Sequence, residues 1–457
     1  MADFSCQDWF EKLQAGQPPL PDCLPLDREE AGRAVAIFDR LRLPDVPGQP
    51  LYRDVGGDWV RAFVRAVFGL VTLNEDRKVI VDRAARKFFQ LVPKKNAKTT
   101  NGAGIMVTAL IMNRRPNAEF LLIGPTQATA ELAYDQASGM LAADPYLKKR
   151  FHTRDHIKVI EDLTTGAKLR IKSFDNKVLT GSKPVGVLVD EIHELGKVAY
   201  AQKVLTQIEG GIVANPEGFV ILITTQSDDA PAGVFADELE HARAVRDGEY
   251  VGGETLPMLY EYPRSFQADR ANLWQDPKYW PIVLPNLDRS ITIDRLLPKF
   301  REAKSKGMAN LSVWASQHLN IEIGIALSRD RWRGADYWLS ASTELTLDGL
   351  IERSDVCTIG IDGGGLDDLY GLTVMGRCRQ TKTWLSWSHG WCHRDVLDLR
   401  KDIADRLKNF EDDGDLTICE NPTDDIFGVC DVVEKVFMTG LLPDRNGVGV
   451  DPKVSLR

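Results

Sequence analysis

Several features that would assign the chain to a common class are missing from its 457 residues. No apolar run reaches the roughly 18 residues that a membrane-spanning helix requires, and no basic segment precedes an apolar one at the N-terminus, so we expect neither a membrane protein nor a secreted one. The seven cysteines are odd in number and form no C-x-x-C pair. This argues against a disulfide framework and favours a reducing compartment.

The ten residues from Leu91 to Thr100, around which the other candidate sites are organised, contain no glycine. Residues 87–92 predict a buried strand and residues 101–112 a helix, and a basic loop ending in Lys-Thr joins them. A phosphate-binding loop has this context, but Val92 and Ala97 stand where G-x-x-x-x-G-K-[ST] has glycine. These ten residues alone leave a phosphate loop and an exposed basic turn equally open. The candidate ATP-binding residues are Lys94, Lys95, Asn96, Ala97, Lys98, Thr99 and Thr100.

Positive charge is not in excess. The net charge of −9 excludes a uniformly basic nucleic-acid binder, although it leaves room for local basic patches along a DNA path. The length predicts two domains or three.

Between about residues 85 and 230, apolar segments alternate with amphipathic ones, which predicts an α/β fold with a mostly parallel sheet covered on both faces. Ligands bind such sheets beyond the carboxyl ends of their strands. Three polar groups follow predicted strands there: the loop before Lys98, the pair Asp190-Glu191, and the run Thr224-Thr225-Gln226.

The acid pair favours phosphate chemistry. Asp190 follows an apolar strand, as the magnesium-binding aspartate of a phosphate-loop NTPase does, and Glu191 is placed to polarise an attacking water. A solvated turn is the alternative, but two adjacent carboxylates repel each other and the Lys-Thr loop lies upstream. Thr224, Thr225 and Gln226 are candidate coupling residues that sense the γ-phosphate, or plain polar residues at a strand end.

A second organisation begins near residue 350. Three hairpin-connected strands, then helix, strand, helix and strand, is the order of an RNase H-like fold. In such folds acids at strand ends bind two Mg²⁺ or Mn²⁺ ions that clamp the attacked phosphate. Asp362 ends the first strand, and Asp451 is the candidate second acid, with Glu420 as its competitor.

Together the two candidate sites resemble the large terminase subunit of tailed bacteriophages, an ATP-driven DNA-packaging motor joined to a nuclease. The resemblance starts near residue 50, and in that family a phosphate loop without glycines is usual. The segments that carry it are Pro93 to Thr100, Gly124 to Gln127, Gly181 to Glu191, Thr224 to Gln226, Ile361 to Gly365 and Gly449 to Pro452.

The resemblance implies a role for each residue. Lys98 contacts the β- and γ-phosphates of ATP, Thr99 and Asp190 hold Mg²⁺, and Glu191 is the catalytic base. Asp362 and Asp451 are the catalytic metal ligands of the nuclease. The implied partners are double-stranded DNA, a small terminase subunit, the portal protein and further copies of the chain in a ring, in the cytoplasm of the bacterial host.

We therefore expect an additional-strand, catalytic-glutamate ATPase followed by an RNase H-like nuclease. The family supplies a third acid further along, whereas this chain ends at Arg457, so the nuclease domain is expected to be incomplete. The predicted division is a lead-in over 1–55, a motor domain over 56–260, a linker over 261–345 and the nuclease over 346–457. A translocase with an inactive nuclease and a non-catalytic DNA-binding scaffold are the alternatives.

Overall fold

The computed structural model describes residues 2–174, 183–198, 200–267, 272–324, 341–365, 368–400 and 403–450. By its internal contacts the chain divides into two compact units, Met1–Asp336 and Tyr337–Arg457. In the described ranges, no helix combines the length and apolar character needed to cross a membrane.

The first unit alternates strands and helices. Its strands are β1 Val71–Leu73, β2 Ile80–Arg83, β3 Lys87–Leu91, β4 Glu119–Gly124, β5 Phe151–Arg154, β6 Val159–Asp162, β7 Lys168–Ser173, β8 Gly186–Asp190, β9 Phe219–Thr224 and β10 Thr255–Leu259. Its α-helices are α1 Trp9–Gln14, α2 Arg28–Phe38, α3 Tyr52–Val55, α4 Asp58–Gly69, α5 Lys98–Met112, α6 Gln127–Ala142, α7 Pro145–Arg150, α8 Ala201–Val213, α9 Gly233–Asp247, α10 Arg264–Gln267, α11 Ile293–Ser305 and α12 Met308–Leu319. Short 3₁₀ helices cover Ile192–Lys197, Leu273–Gln275 and Pro277–Ile282.

Eight of these strands form one sheet in the order β10-β3-β9-β8-β4-β7-β6-β5. The six strands from β10 to β7 are parallel, and β6 and β5 continue the sheet in antiparallel pairing. Strand β9 lies between β3, which leads into the basic loop, and β8, which ends in the acid pair. This inserted strand is the arrangement expected of an additional-strand ATPase, and the predicted α/β fold is confirmed.

The sheet is apolar on both faces because successive side chains of a strand point in opposite directions. Phe88 packs into one core with α4, α5 and α6, whereas its neighbour Phe89 packs into a second core with α8 and α9. Both rings are fully buried. Helices therefore cover the two faces and leave the ends of the strands accessible.

The N-terminal segment belongs to the first core. Phe4, Trp9, Phe38 and Tyr52 are all buried there, so this segment packs into the same core as the sheet.

Residues 261–323 differ from the predicted linker. They build a third core around Trp274, Trp280 and Trp314, and the first compact unit extends to Asp336. The sequence did not reveal this because the tryptophans are scattered through a segment rich in proline and charge, and they meet only after the chain turns back on itself.

A buried ion network attaches this third core to the sheet. Glu261, which follows β10, accepts hydrogen bonds from Arg243 Nη2 at 2.6 Å and from Arg246 Nη1 at 2.7 Å. Arg243 Nη1 also lies 2.8 Å from Glu322 Oε2, beyond α12. Although burial alone would raise the pKa of Glu261, the two guanidinium charges lower it to about 2.

The second unit contains one five-stranded sheet in the order β14-β13-β12-β11-β15. Strands β11, β12 and β13 are antiparallel, β14 runs parallel to β13, and β15 runs parallel to β11. The strands are β11 Ser354–Gly365, β12 Asp368–Cys378, β13 Trp384–His393, β14 Leu416–Cys419 and β15 Val448–Val450. The helices are α13 Leu347–Arg353, α14 Asp395–Leu399, α15 Ala404–Asp412 and α16 Asp424–Met438.

The ion network gives the first unit a dependence on acid. A carboxylate whose pKa is lower in the folded state than in the unfolded state stabilises the fold above its unfolded pKa, and this stabilisation is lost as the pH falls toward the folded pKa. For Glu261 the window lies between about 4.5 and 2. The full effect is about 3 kcal/mol.

We predict that Glu261→Gln lowers the melting temperature at pH 7 by about 6–12 °C, because two buried guanidinium groups lose the carboxylate that they share. The variant should also lose part of the acid dependence of melting below about pH 4.5. Melting followed by tryptophan fluorescence measures both effects, with the exposed Glu249→Gln as the matched control. Equal melting temperatures for the two variants would contradict the assigned role of the network.

Candidate functional site

The basic loop between β3 and α5 keeps its shape without glycine at the two expected positions. Val92 is fully buried and its N–H donates to Thr224 O at 3.0 Å, so this position continues the strand and needs no glycine. Ala97 has a left-handed backbone with φ of 58°, as does Lys95 with φ of 70°. Such a conformation costs roughly 1–2 kcal/mol for a residue with a Cβ atom, so other contacts must hold the loop.

Asn96 supplies those contacts. Its side chain is fully buried, and its Nδ2 donates to Pro93 O at 3.0 Å and to Lys94 O at 3.3 Å. Its Oδ1 accepts from the backbone N–H of Asn286 at 3.0 Å. The loop is thus fastened from inside by its own asparagine and from outside by the third core.

Lys98 and Thr99 begin α5 and point toward the acid pair. Lys98 is 6% exposed, and its Nζ lies 3.9 Å from Glu191 Oε1. Burial lowers the pKa of Lys98, while the charges of Glu191 and Asp190 oppose that shift. The Thr99 hydroxyl donates to Asp190 Oδ2 at 2.7 Å. The structure therefore brings together the two halves of the predicted phosphate site, which lie far apart in the sequence.

Asp190 has the chemistry of a cation ligand. Burial raises the pKa of this carboxyl group to about 6, and the neighbouring charge of Glu191 adds to the shift. Its second oxygen, Oδ1, is buried and has no hydrogen-bond partner among the described residues. A carboxylate oxygen without a partner beside a threonine hydroxyl offers the hard oxygen ligands that Mg²⁺ prefers. Thr99 and Asp190 therefore fit a magnesium ion.

Glu191 is held apart from its neighbour by an unusual backbone. Its φ of 55° is left-handed, at the point where β8 gives way to a 3₁₀ helix. Burial alone would raise the pKa of Glu191, but the interactions with His193 and with Lys98 outweigh burial and lower the pKa. The side chain therefore remains a carboxylate that can orient a water molecule.

His193 is a site residue that the sequence analysis missed. Its buried ring places Nδ1 3.2 Å from Glu191 Oε2 and 3.0 Å from Thr224 Oγ1. Its backbone N–H also donates to Thr224 Oγ1, at 3.1 Å. The histidine thus links the acid of β8 to the polar end of β9. Its position two residues after Glu191 was the sequence feature that could have identified it as a site residue.

The run Thr224-Thr225-Gln226 is buried and leads away from the phosphate site. Thr225 Oγ1 and Gln226 Nε2 have no hydrogen-bond partners in the described part of the chain. The backbone N–H of Gln226 donates to Asn320 Oδ1 at 3.0 Å, just beyond α12. The predicted coupling residues therefore lie between His193 and the third core.

The same third core also touches the basic loop. The backbone N–H of Lys94 donates to Gln317 O at 2.7 Å, and the Ser290 hydroxyl donates to Lys95 O. Thr100, on the other side of α5, accepts at its backbone oxygen from the Tyr52 hydroxyl at 3.1 Å. The loop and the end of β9 are thus both connected to residues 286–320.

The second unit contains part of the second predicted site. Asp362 is exposed in β11, opposite Gly371, and lines a surface cavity with His389. The parallel register of β11 with β15 ends at Ile361 and Val450, which precede Asp362 and Asp451 in the sequence. Asp451 itself lies outside the described residues.

Glu420 does not join Asp362. It follows β14, at the opposite edge of the sheet from β15, and forms an ion pair with Arg394. Three strand spacings separate β14 from β11, which corresponds to about 14 Å. In the described ranges, no group of three or more His, Cys, Asp or Glu side chains is placed to hold a metal ion.

Comparison with known proteins gives two kinds of similarity. Residues 62–244 match the family described as terminase large subunit, ATPase domain. The structure of the large terminase of bacteriophage HK97 matches with a TM-score of 0.51 and 17% identity, over 89% of this chain and 78% of that one. A search of curated protein sequences found no match.

Two further solved structures match with lower TM-scores. The large terminase of a thermophilic bacteriophage has a TM-score of 0.34 and 10% identity, over 82% of this chain and 79% of that one. The Phi-28 gp11 DNA packaging motor has a TM-score of 0.31 and 11% identity, over 79% of this chain and 96% of that one.

The matched family segment begins within α4 and ends within α9, so it contains the basic loop, the acid pair and the polar end of β9. The HK97 similarity extends the shared fold over most of the chain. Residues 62–244 therefore carry the ATPase domain described for the terminase large subunit, and the chain shares the fold of the HK97 large terminase.

Proposed function

We propose that the chain hydrolyses ATP between residues 93–99 and the Asp190-Glu191 pair, and uses the energy to translocate double-stranded DNA into a phage prohead. The observation that carries this proposal is the 2.7 Å hydrogen bond between the hydroxyl of Thr99 and Asp190 Oδ2. It brings the end of the basic loop and the end of β8 within reach of one phosphate chain.

Each residue of the site has a distinct part in hydrolysis. Backbone N–H groups of residues 95–98 and the positive end of α5 attract the phosphates, and Lys98 adds a charge near the β- and γ-phosphates. Thr99 and Asp190 would hold Mg²⁺, which would supply positive charge to neutralise the developing phosphate charge. Glu191 orients the attacking water, and His193 fixes the orientation of Glu191.

Transmission from this site would run through β9. When the contacts of Glu191 change during hydrolysis, His193 passes the change to Thr224, and Gln226 carries it to Asn320 beyond α12. The third core contacts the loop at Lys94 as well, so it responds to both sides of the nucleotide. This path supports the predicted coupling role of residues 224–226.

The proposed partners rest on the similarity to large terminases and to a DNA packaging motor. We infer that DNA is held mostly by its phosphates, so that binding weakens as salt rises and reads little sequence. The working assembly would be a ring of copies of this chain, docked on a portal protein and loaded by a small terminase subunit in the cytoplasm of the bacterial host.

Metal-dependent DNA cutting is the second activity that we propose, with Asp362 and Asp451 as ligands of Mg²⁺ or Mn²⁺. The register that ends one residue before each acid supports this pairing over one with Glu420. Because the described residues place a single acid at the exposed end of β11, a translocase with an inactive nuclease is the competing proposal.

We predict that Glu191→Gln slows ATP hydrolysis at least about 100-fold while ATP still binds, because the amide keeps the shape of the carboxylate but not its charge. Lys98→Ala should instead weaken ATP binding. Phosphate release with and without double-stranded DNA, together with binding of a fluorescent ATP analogue, separates the two effects. The exposed Glu75→Gln is the matched control, and a Glu191→Gln rate equal to the control rate would refute the assignment.

His193→Ala tests the positioning role of the histidine. We expect kcat for ATP hydrolysis to fall about tenfold or more with little change in KM, because Glu191 and Thr224 lose their shared contact. His193→Gln should restore part of the rate, and the exposed His156→Ala serves as the control. A change confined to KM would indicate that the histidine only shapes the nucleotide pocket.

Cleavage of plasmid DNA with Mn²⁺ tests the second activity. We expect cutting by the intact chain, loss of cutting in Asp362→Asn, and retention in the exposed control Asp431→Asn. No cutting by the intact chain would favour the translocase with an inactive nuclease and would leave the ATPase proposal standing.

A further inference from the structure

A cavity in the first unit lies at the amino ends of the strands, opposite the carboxyl ends where the phosphate loop lies. It is enclosed by the amino ends of β4 and β9, by the end of α5 and by the β1–β2 hairpin, and its volume is about 310 Å³. Its wall is mostly apolar, with contributions from Phe68, Ala109, Met112, Phe120 and Phe219. This volume is at the lower end of the range for ligand sites and suits one large side chain.

Arg83 brings a positive charge into this apolar wall. The residue is 4% exposed, and its guanidinium lies 4.8 Å from the centre of the Phe219 ring. Nε donates to Glu217 O at 2.8 Å and Nη1 donates to Val67 O at 2.6 Å. Both acceptors are neutral carbonyl groups, so these bonds do not compensate the charge.

No carboxylate pairs with Arg83 among the described residues. The two acids of the cavity already have partners: Arg114 Nη2 lies 2.6 Å from Glu30 Oε1, and Arg115 binds the carboxylate of Glu217 through both Nε and Nη2. Burial and the nearby charge of Arg86 lower the pKa of Arg83 to about 9, and the charge of Glu217, which Arg115 already binds, opposes that shift only in part. A buried guanidinium without a carboxylate of its own is costly, and this cost would be relieved by an anion entering the cavity.

The rim of the cavity continues this combination of apolar surface and positive charge. Lys78 and Val79 line the cavity, and Val79 is 53% exposed. Val81, which is 47% exposed, lies further along the same hairpin. The lining contains four cationic side chains and two acidic ones, and both acids are paired. A free small molecule inside the cavity would leave these valines uncovered, whereas a polypeptide that crosses the hairpin would cover them.

We propose that this cavity is a docking site for a partner protein, which inserts one large apolar side chain and places an adjacent carboxylate against Arg83. The apolar volume selects the side chain, the unpaired guanidinium selects the acid, and the exposed valines receive the flanking residues. The partner segment is therefore acidic and carries an isolated aromatic or leucine side chain. This assignment is independent of ATP hydrolysis at the carboxyl ends of the strands.

The probe is a fluorescein-labelled octapeptide with a central phenylalanine flanked by aspartates, measured by fluorescence anisotropy with the full-length chain. One matched peptide replaces the phenylalanine with serine, and another replaces the aspartates with asparagines. We expect saturable binding of the probe and at least about tenfold weaker binding of either matched peptide, because each lacks one of the two required groups.

Two variants of the chain test the same site in different ways. Ala109→Leu fills the cavity and keeps Arg83, whereas Arg83→Met removes the charge and keeps much of the volume. Both should weaken binding of the probe at least about tenfold while ATP hydrolysis continues. Arg53→Met, which removes an exposed arginine on α3, is the control for net charge and should bind normally. If Arg83→Met does not fold, Ala109→Leu carries the test.

Three outcomes would overturn the proposal. The probe and its matched peptides could bind equally, or Arg53→Met could weaken binding as much as Arg83→Met, since either result indicates non-specific attraction. Oligomers of the intact chain could dissociate in Ala109→Leu, which would make a second copy of the chain the occupant. Absence of saturable binding to the intact chain would also refute it.

Discussion

The parallel pairing of three strands, β3, β9 and β8, is the constraint on which the first site depends. Its register sets Leu91 opposite Thr224 and Asp190 opposite Ile223, so the three strands end at one level. The basic loop, the acid pair and the polar run therefore meet at the carboxyl ends of these strands, although long stretches of chain separate them. Both faces of these strands are packed against helices, so a slip in register would exchange side chains between two closely packed cores and is disfavoured.

Buried charged side chains determine the affinity of this site for its ligand. Lys98, Asp190 and Glu191 are largely removed from water, and for Lys98 and Asp190 the surrounding contacts compensate only part of that loss. A phosphate chain would give Lys98 a stronger partner, and its metal would do the same for Asp190. The site therefore gains from binding its nucleotide, and His193 makes the end of β9 sensitive to that exchange. At the amino ends of the strands, Arg83 forms no ion pair in the described ranges. Because its burial is also poorly compensated, we expect an acidic ligand there.

Much of this arrangement could be predicted from the sequence, because apolar strands and the residues that follow them are local patterns. Such patterns predicted the α/β fold and the strand ends. They also identified the candidate residues Lys98, Thr99, Asp190 and Glu191. Asn96 could be named as a loop residue, but its role in holding a loop without glycine depends on Asn286. Residues 261–345 were interpreted as a linker, whereas the described residues 262–321 contain a third core, which the sequence did not reveal because three scattered tryptophans give no periodic signal.

Long-range polar contacts were also beyond prediction. The link from His193 to Thr224 joins the 3₁₀ helix after β8 to the end of β9, and the separation of Glu420 from Asp362 follows from the order of the second sheet. A single sequence specifies which residues end strands, but not which strands become neighbours.

The most direct test of this account is the structure of the chain bound to ATP-γ-S and Mg²⁺. The account predicts that the β- and γ-phosphates lie against residues 94–98, and that both Thr99 and Asp190 bind the metal. Phosphates bound elsewhere, or a metal that touches neither residue, would contradict the central claim that the ends of β3 and β8 form one nucleotide site.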